Sequence, residues 1–231
     1  MRRAAALELV IFDCDGVLVD SEPISNRVLA AALSEAGLPT TQESSMRDYM
    51  GRSWSACVEI FEARLGRALP GAFEASFMSQ LETALRAELQ AVPGIHDALA
   101  RIATPSCIAS SGRPEKMRIT LGMTGLWERF EGRIFSAADV ARAKPFPDLF
   151  LHAAERMGAT PARCIVVEDS PRGVEAGVAA GMRVLGYAGR TDARALEVAG
   201  AEVFADMREL PERLLVRVPA GFAEDGLDRR D

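Results

Sequence analysis

Histidine is nearly missing from this chain of 231 residues, which contains only His96 and His152. So few imidazoles leave little room for a His-rich metal site or for a Ser-His-Asp triad. Cysteine is also sparse. Cys14, Cys57, Cys107 and Cys164 are widely spaced and form no CxxC pair. They read as reduced thiols of a cytoplasmic protein, at least two of them on buried strands. A basic surplus is absent: 33 Asp and Glu face 27 Lys and Arg, a net charge of −6. That balance argues against a nucleic-acid partner. It leaves an anionic small molecule open, because binding depends on local charge. No apolar stretch has the length of a membrane span, so no membrane partner is expected. The start, MRRAAALELVIFDCDG, places two arginines before a short apolar run. Glu8 interrupts that run and Asp13 and Asp15 end it, so no leader peptide is expected.

What is present is ordinary globular composition, 48% hydrophobic and 26% charged,. The length suits one large domain, or one domain carrying a smaller insert. Short continuous apolar runs recur at Leu9–Phe12, Ser106–Ser110, 132–136, 164–167, 184–187 and, weakly, 202–205. Continuous rather than alternating runs mark parallel strands covered on both faces. Helical patterns lie between them at 94–103, 114–123, 147–157, 171–180 and 192–199. This order predicts an α/β fold, a doubly wound Rossmann-like parallel sheet. One segment breaks the alternation. Residues 23–36, 53–65 and 72–89 show helical spacing with no convincing strand. A connection that long is abnormal as a loop and reads as an inserted all-helical unit. The expected organisation is a core of 1–19 and 90–217, a helical cap at 20–89, and a loosely held polar tail at 218–231.

Four local features carry chemistry. Asp13-Cys14-Asp15-Gly16 follows the first apolar run. In open α/β sheets the ligand crevice lies at the carboxyl ends of the strands, so both carboxylates would face it. Such a pair can act as nucleophile and general acid/base, although an Asp-rich turn would look the same. Glu168-Asp169-Ser170-Pro171 ends another run. Helix capping explains one of these residues but leaves Glu168 unexplained. Four acids at the ends of two sheet strands would repel one another, and an oxygen-ligated Mg²⁺ relieves that repulsion. Ser110-Ser111-Gly112 ends a third run and opens a helix. Its hydroxyls and N–H groups suit an anion, or simply cap the helix. Lys144-Pro145-Phe146-Pro147 holds a lysine on a stiffened segment, where it reads as a phosphate ligand or as a solvated surface group,.

Taken in chain order as DxD, Ser-Ser-Gly, Lys-Pro and Glu-Asp, over about 5–190, the four features resemble the haloacid dehalogenase-like phosphohydrolase superfamily, and the helical insert resembles its cap. The resemblance implies a Mg²⁺-dependent phosphatase acting on a small phosphorylated metabolite through an aspartyl-phosphate. Asp13 would be the nucleophile and Asp15 the acid and base. Ser110, Ser111, Gly112 and Lys144 would hold the phosphoryl group. Asp13, the Asp15 carbonyl and Asp169 would bind Mg²⁺, with Glu168 direct or through water.

The presence of Asp15 favours phosphoryl chemistry over dehalogenation, because the family's dehalogenases lack that carboxylate. The β-phosphoglucomutase branch is the alternative. It places a histidine and an arginine where this chain has Ser25 and Trp54, although Arg52 could take over part of the arginine's role. A phosphatase branch acting on sugar or sugar-acid phosphates, such as 6-phosphogluconate, fits better. A non-catalytic phosphometabolite-binding protein is a third reading. Substrate choice is expected in the cap, with Glu22, Asn26, Arg27, Arg47, Arg52, Ser53 and Trp54 as candidates. A monomer or small homo-oligomer is expected.

Overall fold

The computed structural model describes residues 6–50, 52 and 54–215. Ser53 and the tail expected at 218–231 therefore lie outside the described residues. The first strand, β1 (Leu9–Phe12), has sequence LVIF and is buried on both faces. After it come four helices: α1 (Glu22–Glu35), α2 (Gln42–Tyr49), α3 (Trp54–Leu65) and α4 (Phe73–Glu88). Strand–helix alternation then resumes with α5 (Ile95–Arg101), β2 (Ser106–Ser110), α6 (Pro114–Met123), α7 (Trp127–Phe130) and β3 (Ile134–Ser136). It continues through α8 (Asp148–Arg156), β4 (Cys164–Glu168), α9 (Pro171–Ala179) and β5 (Arg183–Tyr187). The last elements are α10 (Ala193–Ala199), β6 (Glu202–Phe204) and α11 (Leu210–Leu215).

The six strands form one parallel sheet in the order β3-β2-β1-β4-β5-β6. The chain winds outward from β1 to β3, then returns to the other side of β1. That reversal opens a crevice at the carboxyl ends of β1 and β4. Register decides what stands there. Phe12 pairs with both Ile108 and Val167. The next residue, Asp13, donates its N–H to the Val167 carbonyl at 2.9 Å, which brings it beside Glu168.

Alternate strand residues serve opposite faces. Leu9, Ile11, Cys107 and Val166 pack with α8 and α9 residues such as Phe150 and Val174. Val10, Phe12, Ile108 and Val167 join a cluster that runs on through Leu29, Leu33, Phe61, Phe77 and Leu81 of the inserted helices. The insert and the sheet therefore share one continuous apolar cluster.

Three helices were not expected from the sequence, namely α2, α7 and α11. The sequence of α2, QESSMRDY, has almost no apolar periodicity. It starts from a reciprocal cap instead. Thr41 Oγ1 accepts from Ser44 N at 3.1 Å, and Ser44 Oγ accepts from Thr41 N at 3.0 Å,. The third strand begins at Ile134 rather than 132 because Gly132 sits in a turn with φ +74°,. All four thiols are free and buried. Among the described residues no helix is long and apolar enough to cross a membrane.

Candidate active site

Lys144 is the pivot of the crevice. It is only 6% exposed, and its ammonium donates to Asp13 Oδ1 at 2.5 Å and to Glu168 Oε1 at 2.7 Å. The main chain around it is tied down, because Arg172 Nη2 donates to the Lys144 carbonyl at 2.8 Å. Burial pushes Asp13 up to about 7 despite Lys144, and neighbouring Glu168 adds to the rise,. Burial opposes the charge on Lys144, but Asp13 and Glu168 outweigh it and raise the ammonium above its ordinary value. Glu168 has its second oxygen occupied as well: Oε2 accepts from Ser170 N at 2.8 Å and Ser170 Oγ at 3.0 Å.

Asp15 has its own partners. Ser21 Oγ and Lys116 Nζ both donate to its Oδ1, the latter at 2.8 Å. Burial alone would raise this carboxyl, but Lys116 and the two hydrogen bonds outweigh it and hold it below the usual range. Lys116 in turn is disfavoured by burial, yet Asp15 and Glu22 raise it above an ordinary lysine. Gly16 makes the turn possible. Its φ is +80°, and a Cβ there would stand 2.0 Å from Asp169 Oδ2,. Asp169 thus lies directly over the Asp13–Gly16 turn.

Ser110 ends β2 and is 1% exposed. Its hydroxyl accepts from Gly112 N at 3.1 Å, and Ser136 Oγ donates to the Gly112 carbonyl at 2.9 Å. Asp13, Asp15, Ser110, Lys144, Glu168 and Asp169 surround one cavity of about 210 Å³. Ser111 and Gly112 line it too. All the core residues singled out in the sequence therefore converge on one space. A second, larger cavity of about 490 Å³ adjoins it, between the inserted helices and the start of α6. Glu22, Met50, Arg52, Ser111, Gly112 and Lys116 line both.

The expected cap residues divide. Glu22 and Arg52 reach both cavities, and Asn26 and Trp54 line the larger one. Arg27 and Arg47 line neither cavity. Arg27 is held outside by Glu88 at 2.6 Å, and Arg47 is 71% exposed beside Asp48. Trp54 is stacked on Phe77 at 5.1 Å between ring centres, so its indole fills the cap interior,. Ser21, Lys116 and Arg172 escaped the sequence reading. A lysine one turn into a helix carries no local signal that it points inward. Ser21 stands six residues after Asp15, where only the folded turn brings it back.

The donor set fits a hard divalent cation. Asp13 and Asp169 are 7% and 9% exposed. Asp169 has no hydrogen bond or ion pair among the described residues, while burial and the charges of Glu168 and Asp13 raise it well above an ordinary carboxylate. An unpaired buried carboxylate beside a second one is costly without a cation. Among the described residues no three acidic, histidine or cysteine side chains form a cluster that could hold a metal. Two carboxylates with a main-chain carbonyl fall short of such a cluster, and water and phosphate oxygens complete the usual Mg²⁺ shell.

Comparison with known proteins agrees with this geometry. The family model for haloacid dehalogenase-like hydrolases matches residues 7–181. The 6-phosphogluconate phosphatase of Escherichia coli (strain K12) is 32% identical, over 89% of this chain and 94% of the relative. A conserved haloacid dehalogenase-like protein of unknown function from Agrobacterium tumefaciens str. C58 is 37% identical with a TM-score of 0.80, covering 90% of this chain and 98% of that one. A hydrolase of the same family from Deinococcus radiodurans R1, solved with bound phosphate and sodium, is 30% identical with a TM-score of 0.71. It is matched over 90% of this chain and 94% of its own. A doubly wound sheet, acids and a lysine gathered at its switch point, and a model match over most of the sheet lead to one assignment: the chain belongs to the haloacid dehalogenase-like hydrolase family.

Proposed function

We propose that this hydrolase is a Mg²⁺-dependent phosphatase of small phosphorylated metabolites, working through a phosphoryl group carried on Asp13. One observation carries the reading: Asp13, Asp15, Ser110, Lys144 and Asp169 meet around a single small cavity at the ends of β1, β2 and β4. Phosphoryl transfer asks chiefly for positioning and for charge neutralisation, and this cavity offers both.

Asp13, Asp169 and the Asp15 carbonyl would hold Mg²⁺. Bound there, the ion supplies positive charge to the phosphoryl oxygens. Glu168, with both oxygens engaged by Lys144 and Ser170, serves to orient Lys144. Lys144 and Ser110, with Ser111 and Gly112 beside it, hold the phosphoryl oxygens. Asp15 is held ionised by Lys116 and Ser21, so it serves as acid after taking up the proton of a bound phosphate monoanion: Asp13 attacks phosphorus, the bond to the leaving group breaks, and Asp15 passes that proton to the departing alkoxide oxygen. Asp15 then takes a proton from water, whose oxygen attacks the same phosphorus, releasing phosphate and restoring Asp13.

The inserted helices act as the cap, and the larger cavity is where the leaving group would lie. A sugar or sugar-acid phosphate fits this reading, and 6-phosphogluconate, named for the Escherichia coli relative, is the first substrate to try. A mutase would need further acid–base and anion-binding groups in the cap. Ser25 cannot replace a histidine, and this is the stronger departure from a mutase, because Arg52 beside Trp54 still brings a cation to both cavities,. Four buried free thiols support a reducing, cytoplasmic setting,.

The test is phosphate release from 4-nitrophenyl phosphate and 6-phosphogluconate. Release should require Mg²⁺, stop with EDTA and be absent in Asp13→Asn. Activity that survives EDTA, or that Asp13→Asn retains, contradicts the proposal.

A further inference from the structure

Lys116 belongs to none of the four features that define the site, yet it is built into it. It stands in the first turn of α6, on the core side of the larger cavity. Its side chain is 26% exposed and its ammonium donates to Asp15 Oδ1 at 2.8 Å. An ammonium has three N–H donors, and that bond uses one. The other two have no acceptor among the described residues, although Lys116 lines both cavities. The same junction also offers complementary chemistry. Glu22 also lines both cavities, and its Oε2 accepts from Asn26 Nδ2 at 2.9 Å. Its other oxygen is free to accept from a ligand hydroxyl. The second cation at this junction, Arg52, has its Nε committed to the Asp48 carbonyl at 2.8 Å.

We infer that Lys116 is a specificity-determining residue that binds a carboxylate of the leaving group, so that the preferred substrates are phosphorylated hydroxy acids rather than neutral polyol phosphates. This rests on the phosphatase reading above. The cations divide the substrate between them. Lys144 faces Asp13, where the phosphoryl group would be transferred. Lys116 faces Asp15, which serves the departing oxygen, so an anion taken by Lys116 belongs to the part that leaves. A charged donor with free N–H groups binds an ionised acceptor more strongly than a hydroxyl. Glu22 supplies the complementary acceptor for the hydroxyls of the same molecule. A hydroxy acid gives the two remaining N–H groups of Lys116 an ionised acceptor and Glu22 a hydroxyl, whereas a polyol offers Lys116 only neutral hydroxyls.

The experiment compares acid and neutral substrates of equal length: 6-phosphogluconate with sorbitol 6-phosphate, and 3-phosphoglycerate with glycerol 3-phosphate. The readout is the ratio of kcat/KM within a pair, measured for wild type, Lys116→Met and Lys116→Arg. Any effect on Asp15 is common to both members of a pair and cancels in the ratio. Wild type should favour the acid in at least one pair. Lys116→Met should cut that ratio about tenfold or more, mostly through KM, and Lys116→Arg should restore much of it. An absent acid preference in wild type overturns the inference, as does a preference that Lys116→Met leaves intact. Should Lys116→Met fail to fold, inhibition of the wild-type protein decides. Gluconate should then compete with 4-nitrophenyl phosphate more strongly than sorbitol does, and equal competition overturns the inference. Failure of the phosphatase reading looks different, since wild type would then release phosphate from none of these substrates.

Discussion

Lys144 sits between two carboxylates that would otherwise repel each other in a space nearly closed to water. Taking away one member of a buried charge group leaves the others unbalanced, and the usual cost is about 3–5 kcal/mol. Lys144→Met should therefore lower stability on that scale in urea denaturation, as well as abolish phosphate release. Replacing Glu168 by Gln in the same chain should recover part of the stability and none of the activity. An unchanged denaturation midpoint for Lys144→Met would mean that the ammonium does not balance these acids. Most of the side chains here were legible in the sequence. Asp13, Asp15, Ser110, Glu168 and Asp169 each end or follow a short continuous apolar run of the kind that marks a buried parallel strand,. The position of such a residue is fixed by register, and register follows from which strands pair. Lys116 and Ser21 were not legible. Their contacts with Asp15 depend on how a helix and a turn are rotated in space, and nearby residue types do not encode that rotation.

Among the elements, α9 shows how a sequence signal acquires a second use. Ser170-Pro171 reads as a helix start, and Ser170 Oγ does accept from Gly173 N at 3.1 Å. The same hydroxyl donates to Glu168 Oε2, so the cap also fixes the carboxylate that holds Lys144. Gly173 leaves the necessary room, since a Cβ there would fall 1.7 Å from Glu168 Oε1. Ser170→Ala should destabilise the protein by about 1 kcal/mol, the ordinary cost of a lost N-cap. Its effect on kcat should be larger than that stability loss implies, because Glu168 loses a partner. Thermal melting with steady-state kinetics checks both, and an unaltered kcat would separate the cap from the site. The strands could be read because parallel strands in a covered sheet are apolar along their whole length. Helix α2 could not, because its start depends on the Thr41–Ser44 cap and its sequence has no apolar stripe. Similarly, the beginning of β3 depends on the turn at Gly132, which composition does not reveal.

At the scale of the whole molecule, the inserted helices and the sheet bury one continuous apolar cluster. The larger cavity lies along the boundary between them and meets the smaller one where Glu22, Arg52 and Lys116 stand. The long strand-free segment announced the insert. It did not announce which of its side chains face inward, and Arg27 and Arg47 proved to lie outside. Long arginines on a polar helix face carry no mark of direction. The few histidines and the acidic balance now have a local meaning, because the chemistry assigned to this cavity runs on carboxylates, one lysine and a cation. Its central claim is that the phosphoryl group passes through Asp13, and the most direct test is to catch it there. Wild-type protein mixed with Mg²⁺ and 6-phosphogluconate is quenched in acid within a single turnover, and its peptides are mapped by mass spectrometry. The account predicts a hydroxylamine-labile phosphoryl group on Asp13, absent from Asp13→Asn. Phosphate released at full rate with no phosphoryl group on Asp13, or with that group on another residue, would contradict it.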